Sequence, residues 1–271
     1  MALQNDNYQQ QFNYLRDRYD LPATPIRVFP CLASTNTKAW ELLEHSSSQL
    51  PIAVTAIQQT AGKGQWGKTW QSTPGGLYLS VAIAVELALA DSFHLVMATA
   101  VGITDLLRHY GLPVELKWSN DLILAGRKLG GIKLETKTQG TKINYAVVGL
   151  GINWSNSTPQ VGISLQEYGK DSPLKINSLE ELNAIATVGI LQGYQTYSKQ
   201  GIEPIYQKYQ NLLNSIGRQV FFKTDSHTAN SGIVTGVTRR GKLEITMTSP
   251  GASSKIYAAP GEISLGYETA C

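Results

Sequence analysis

Apolar and polar positions along this chain separate short strands from longer helices. Residues 52–57 are a β-branched apolar run and 77–85 a stronger one, so both are expected as strands, with a glycine-rich loop over 60–76 between them. Residues 34–44 read as a helix, capped by Ser34 or Thr35, with Trp40, Leu42 and Leu43 as its apolar contacts. A long helix begins at Asp91, carries Leu95, Val96, Val101, Leu106 and Leu107 as a stripe, and ends at Gly111. Strands are expected at 114–118, 122–124, 131–136 and 143–149, with 125–128 a hairpin turn built on Gly126. Ser178 and Glu181 form a capping box for a helix to about Ser198, and Pro204 suits the first turn of another that stops near Gly217.

After Gly217 the texture changes. Strands at 218–223, 232–237, 243–248, 255–259 and 262–265 recur about every ten residues, separated by turns such as Arg240-Gly241 and Ser249-Pro250-Gly251. The expected organisation is a flexible polar segment over 1–25, an α+β domain over 26–216, and a small β-barrel over 217–271.

Composition narrows the function classes. With 42% hydrophobic residues and no segment dominated by charge, the 271-residue chain is not disordered. The apolar stretch 77–90 is too short for a membrane span and contains Glu86. A net charge of +3, scattered along the chain, does not argue for a nucleic-acid groove. The only cysteines, Cys31 and Cys271, make no disulfide framework or metal-ligand spacing, and the N-terminus lacks a secretory pattern, so a cytoplasmic protein is expected.

The segment from Gln58 to Trp70 carries the first chemical signal. Gly62 to Thr69 matches the phosphate-loop pattern, and Gly62, Gly64 and Gly67 match the dinucleotide fingerprint. Both patterns need a helix immediately downstream, because its N-terminus holds the phosphate. Residues 71–76 are turn chemistry leading into a strand, so neither pattern applies. Glycines that let backbone N–H groups approach an anion remain, with Lys63 and Lys68 beside them. Trp66 and Trp70 flank the lysines and invite stacking with a base or ring; a surface hairpin whose glycines only turn the chain is the plain alternative.

A second cluster joins it: Lys117-Trp118-Ser119-Asn120-Asp121, then Arg127-Lys128-Leu129-Gly130-Gly131, then Gly149-Leu150-Gly151-Ile152-Asn153. Together with Ser34-Thr35-Asn36, the loop from Gln59 to Trp70, and Gly76-Leu77-Tyr78-Leu79-Ser80, these motifs in this order resemble the biotin protein ligases, over roughly 29–154. The resemblance implies a mixed-sheet catalytic domain related to class II aminoacyl-tRNA synthetases, with a C-terminal SH3-like barrel. It also implies two chemical steps. Biotin and ATP form biotinyl-5′-AMP, and a lysine of the biotin carboxyl carrier protein of acetyl-CoA carboxylase then takes the biotinyl group.

By the same resemblance Lys128 and Lys63 are the catalytic candidates. Ser34, Thr35, Asn36, Gln59, Lys63, Gly64, Gln65, Lys128 and Gly131 would bind biotin. Gly62, Lys63, Gly64, Gly67, Lys68, Trp70, Asn120, Asp121 and Asn153 would bind ATP or the adenylate, with Mg2+ held through the ATP phosphates. Three departures stand out. Lys63 and Gln65 replace common arginines, and Gln65 removes a charge, so weaker retention of the intermediate is expected. Ser119 replaces a common proline. About 30 residues precede the motifs, too few for a winged-helix DNA-binding domain, so no DNA partner is expected. Monomer and homodimer both stay open. A lipoate or octanoate ligase or transferase of the same superfamily is the nearer rival, and a non-catalytic RNA- or protein-binding module the more distant one.

Overall fold

The computed structural model describes residues 2–45, 50–223, 229–249, 252–263 and 265–266. Seven strands are built from the runs anticipated above plus one more: β1 (Ile26–Leu32), β2 (Ile52–Gln59), β3 (Gly76–Ala88), β4 (Glu115–Lys117), β5 (Asp121–Leu124), β6 (Arg127–Gln139) and β7 (Lys142–Asn153). They form one mixed sheet in the order β1–β2–β3–β7–β6–β5–β4. β1 and β2 are parallel, joined through helix α2 (Thr35–His45), and every other neighbouring pair is antiparallel.

The period of two along the central strands sorts the layers. Leu77, Leu79, Val81 and Ile83 of β3, with Val148, Leu150 and Ile152 of β7, join the main core with helices α3 (Phe93–His109) and α5 (Leu179–Gln200). Ala82 and Val147 instead pack with Ala39 and Leu43 of α2 in a second, smaller cluster. The segment Leu89–His109, which includes α3, is apolar and long enough to cross a bilayer, but most of it is buried inside the protein. Beyond a short helix α4 (Leu165–Tyr168), Ser178 caps α5: its hydroxyl accepts from Glu181 N at 3.1 Å, while the Glu181 carboxylate accepts from Asn177 N at 2.8 Å in place of the Ser178 N of a full capping box. Helix α6 (Ile202–Leu212) follows directly.

Two expectations change. Residues 1–25 are not a flexible segment where they are described: Ala2–Arg16 is helix α1, packed on α5. Its Tyr8, Phe12 and Leu15 are buried and spaced i, i+4, i+7, a helical stripe diluted among glutamines and asparagines. At the other end, β8 (Gln219–Lys223), β9 (Ala229–Val237), β10 (Leu243–Ser249) and β11 (Ala252–Ala258) form an antiparallel sheet in the order β11–β10–β9–β8. The fifth expected strand, at 262–265, is absent among the described residues. Pro260 has no N–H to pair, Gly261 has φ +97°, and the Glu262 carboxylate accepts from Ala259 N at 2.6 Å, so the chain turns there. This sheet shares the main core through Val234, Val237, Leu243 and Ile245, and Trp118 Nε1 donates to Gly241 O at 2.9 Å.

Helices α3 and α5 approach so closely that Gly102, Gly189 and Gly193 face one another across the contact, and a Cβ on Gly193 would collide with the Ala98 carbonyl. Gly193→Ala improves helix propensity by about 1 kcal/mol but overpacks this contact by about 2–3 kcal/mol. Thermal unfolding is expected to show a melting temperature lowered by about 3–6 °C; an unchanged or raised value would mean the helices can separate freely.

Candidate functional site

On the α2 side of the sheet lies a cleft of about 470 Å³, including its open mouth, and a second, wider chamber of about 930 Å³ adjoins it. Trp70 and Lys128 line both. The cleft floor is β7, where Gly149 and Gly151 stand two residues apart on one face. A Cβ on Gly149 would collide with the Asn36 amide, and one on Gly151 would come within 2.5 Å of the Trp70 indole. The absence of side chains there lets a polar and an aromatic group lie directly on the strand.

The polar end is a connected network. Thr35 N and Oγ1 donate to Gln59 Oε1 at 2.8 and 3.1 Å, and Gln59 Nε2 donates to Ser72 Oγ at 2.8 Å. Ser80, fully buried, donates to Asn36 Oδ1 at 2.6 Å and lies 2.8 Å from Thr35 Oγ1. Asn36 Nδ2 is buried with no partner, so an amide donor is held ready at the cleft wall. A buried donor of this kind strongly favours a ligand that presents an acceptor.

The cationic side comes from β6. The register between β5 and β6 shifts so that Leu122 faces Gly130 and Ile123 faces Lys128, leaving Leu129 as the extra residue of a bulge. The bulge switches the side-chain alternation. Leu129 and Ile132 are buried, while Lys128, Gly131 and Lys133 line the cleft. Lys128 Nζ lies 2.7 Å from Asp121 Oδ1 and 5.4 Å from the Trp70 ring centre. Among the described residues no carboxylate lines either chamber. The cleft wall therefore favours anions.

The glycine loop folds as a small hairpin. Trp70 N donates to Gly62 O at 2.9 Å and Gly64 N to Lys68 O at 2.6 Å, while Lys63 Nζ donates to Thr37 Oγ1 at 3.0 Å. Only a single 3-10 turn, Gln65–Gly67, interrupts it before β3, so the helix that a phosphate loop needs is absent.

The structure brings most predicted residues together. Ser34, Thr35, Asn36, Gln59, Lys63, Gly64, Gln65, Trp70, Asn120, Lys128 and Gly131 all line the cleft. Gly62, Gly67 and Lys68 line neither chamber. Trp66 is exposed and lies beside Gly261, so of the two loop tryptophans only Trp70 reaches the cleft. Asn153 lines the second chamber, but its amide is engaged. Its Nδ2 donates to Ile163 O at 3.2 Å, and its Oδ1 accepts from Asn156 Nδ2 at 3.0 Å, which pins the chamber wall. Asn120 is engaged as well, donating to Ile132 O at 2.7 Å.

Sequence reasoning passed over Ser80 and Lys133 as individual site residues. A lone serine in an apolar strand was the available signal for Ser80. For Lys133 the bulge hid the face on which it falls. Lys117 is also buried, and that burial lowers its amine to about 8 although Asp121 opposes the shift.

Comparison with known proteins places these features in a lineage. Residues 28–153 match the sequence model of the biotin/lipoate A/B protein ligase family. The bifunctional ligase/repressor BirA of Escherichia coli is 30% identical over 206 residues, which are 72% of this chain and 61% of that protein. Its namesake from Bacillus spizizenii is 25% identical over 86% of this chain and 72% of its own length. Among solved structures, a biotin protein ligase from Aquifex aeolicus in complex with biotin and ATP shares the fold, with a TM-score of 0.66 over 90% of this chain and 99% of that one, at 20% identity. In sequence, motif order and fold alike, residues 28–153 carry a domain of the biotin/lipoate A/B protein ligase family.

Proposed function

We propose that the chain is a biotin–protein ligase, which joins biotin to a lysine of the biotin carboxyl carrier protein of acetyl-CoA carboxylase through biotinyl-5′-AMP. The observation that carries this reading is the meeting of two chambers at one cation. A narrow cleft with a polar end and a wider chamber share Lys128 and Trp70, as joining an acid to a nucleotide requires. The unpaired Asn36 amide and the network of Ser80, Thr35 and Gln59 suit the ureido ring of biotin better than the plain acyl chain of lipoate or octanoate.

In the first step the biotin carboxylate attacks the α-phosphorus of ATP, and the bond to pyrophosphate breaks. Two anions must meet, so the barrier falls where a fixed cation offsets their repulsion. Lys128 is so placed, oriented by Asp121 and covered by the Trp70 ring. In the second step the neutral amine of the carrier lysine attacks the acyl carbon, AMP leaves, and the amine loses its proton. Among the described residues no three His, Cys, Asp or Glu side chains converge on a metal position. Magnesium would be held through the phosphates of ATP, whose oxygens suit this hard cation.

ATP–pyrophosphate exchange tests the reading. Exchange is expected with biotin, not with lipoate, and to fall by about 100-fold or more in Lys128→Ala. Exchange with lipoate alone would assign the sister activity, and none with either acid would reject adenylation. The buried amine of Lys117 gives a second expectation. Its folded value of about 8 lies below the ordinary lysine value. Between pH 8 and 10.5 the unfolded chain therefore binds a proton that the folded chain lacks, and stability rises with pH. Relative to Lys117→Met, the wild type is expected to gain about 2–3 kcal/mol between pH 7.5 and 10 in denaturant titrations. Parallel pH profiles for the two proteins would show that burial does not lower the Lys117 amine.

A further inference from the structure

We infer that Lys133 is a positioning residue that latches the glycine loop over the polar end of the cleft. The inference rests on the ligase reading for its chemical consequence but not for the latch itself. Lys133 lines the cleft directly opposite Gly149, the glycine on which the Asn36 amide lies. From there its ammonium reaches across and donates to the Gly64 carbonyl at 3.0 Å. Gln65 makes a second, weaker link from loop to strand, with Nε2 3.4 Å from Ile132 O. Loop and β6 are thus tied at two adjacent residues, above the same end of the cleft.

The latch is itself held in place. Lys133 Nζ lies 3.6 Å from Glu135 Oε1, and the other oxygen of that carboxylate accepts from Trp40 Nε1 at 2.9 Å. Helix α2 thereby orients Glu135, Glu135 orients Lys133, and Lys133 holds the loop. All the side chains in this relay are partly buried, and a charged donor on a backbone carbonyl is stronger in such a setting than a neutral one. A lysine suits the task because its long apolar stem can line a ligand-binding wall while the charge reaches past it. The consequence for the reaction is retention: a loop held over the cleft keeps the reactive mixed anhydride from water and from early release.

The experiment compares wild type, Lys133→Leu, Lys133→Arg and the double variant Lys133→Leu/Gln65→Arg. Limited trypsin digestion of the unliganded proteins, with cleavage after Lys63 and Lys68 followed by mass spectrometry, reports the latch without any chemistry. Cleavage is expected to be about tenfold faster in Lys133→Leu and near wild type in Lys133→Arg. Release of preformed biotinyl-5′-AMP, measured in a chase, is expected to quicken about tenfold in Lys133→Leu and to be slowed again by Gln65→Arg. Unchanged loop cleavage in Lys133→Leu overturns the latch. Faster cleavage with unchanged release overturns its role in retention. If the wild type forms no biotinyl-5′-AMP, the ligase reading fails, while the digestion still decides the latch.

Discussion

The site depends on a floor without side chains. β7 runs through the middle of the sheet, hydrogen-bonded on both edges, and at Gly149 and Gly151 it presents bare backbone to the α2 side. Only there can the Asn36 amide and the Trp70 indole lie on the sheet itself, and both would be displaced by a methyl group. The polar network at one end and the aromatic wall between the chambers follow from that close approach. So does the placement of Lys128, whose ammonium lies over the same indole.

Around that floor the fold separates rigid and adjustable parts. The main core, with α3 and α5 packed through glycines, holds the sheet from behind and reaches the cleft through Leu79, Ile132 and Leu150. The cations come from β6 and from the loop between β2 and β3, so two different elements converge on one electrostatic task. β6 delivers Lys128 with Asp121 already paired to it, whereas the loop delivers Lys63 from an exposed hairpin. Such a division suits the proposed reaction, which must admit two anions, shield their product, and then expose it to a protein substrate.

Several elements were legible because a local rule governs them. The Ser178 cap, the hairpin at Ala125-Gly126 with both residues at positive φ, and the apolar strands β3 and β7 each satisfy hydrogen bonds or bury a face within a few residues of themselves. Helix α1 and strand β1 were not legible. Tyr8, Phe12 and Leu15 are too sparse to announce a helix, and β1 is an edge strand with Pro30 and much of its surface exposed. The expected fifth strand after β11 failed for the opposite reason: a short apolar-looking run was overruled by Pro260, Gly261 and the Glu262 carboxylate.

What the sequence by itself determined was the identity of the chemical groups and their order: polar residues at the start of α2, a glycine loop with lysines, a Lys-Trp-Ser-Asn-Asp turn, Lys128 before two glycines, and Gly149 and Gly151 in a strand. Those are local choices of residue, and each can be read from its neighbours. Only the tertiary structure decided which of them share a wall. The bulge at Leu129 turns Lys128 and Lys133 to the same face, the hydrogen bonds of Asn153 are spent on pinning a chamber wall, and Trp70 rather than Trp66 enters the cleft. The physical reason is that side-chain direction depends on register, twist and the contacts of distant strands, which a one-residue shift reverses and which no local pattern records.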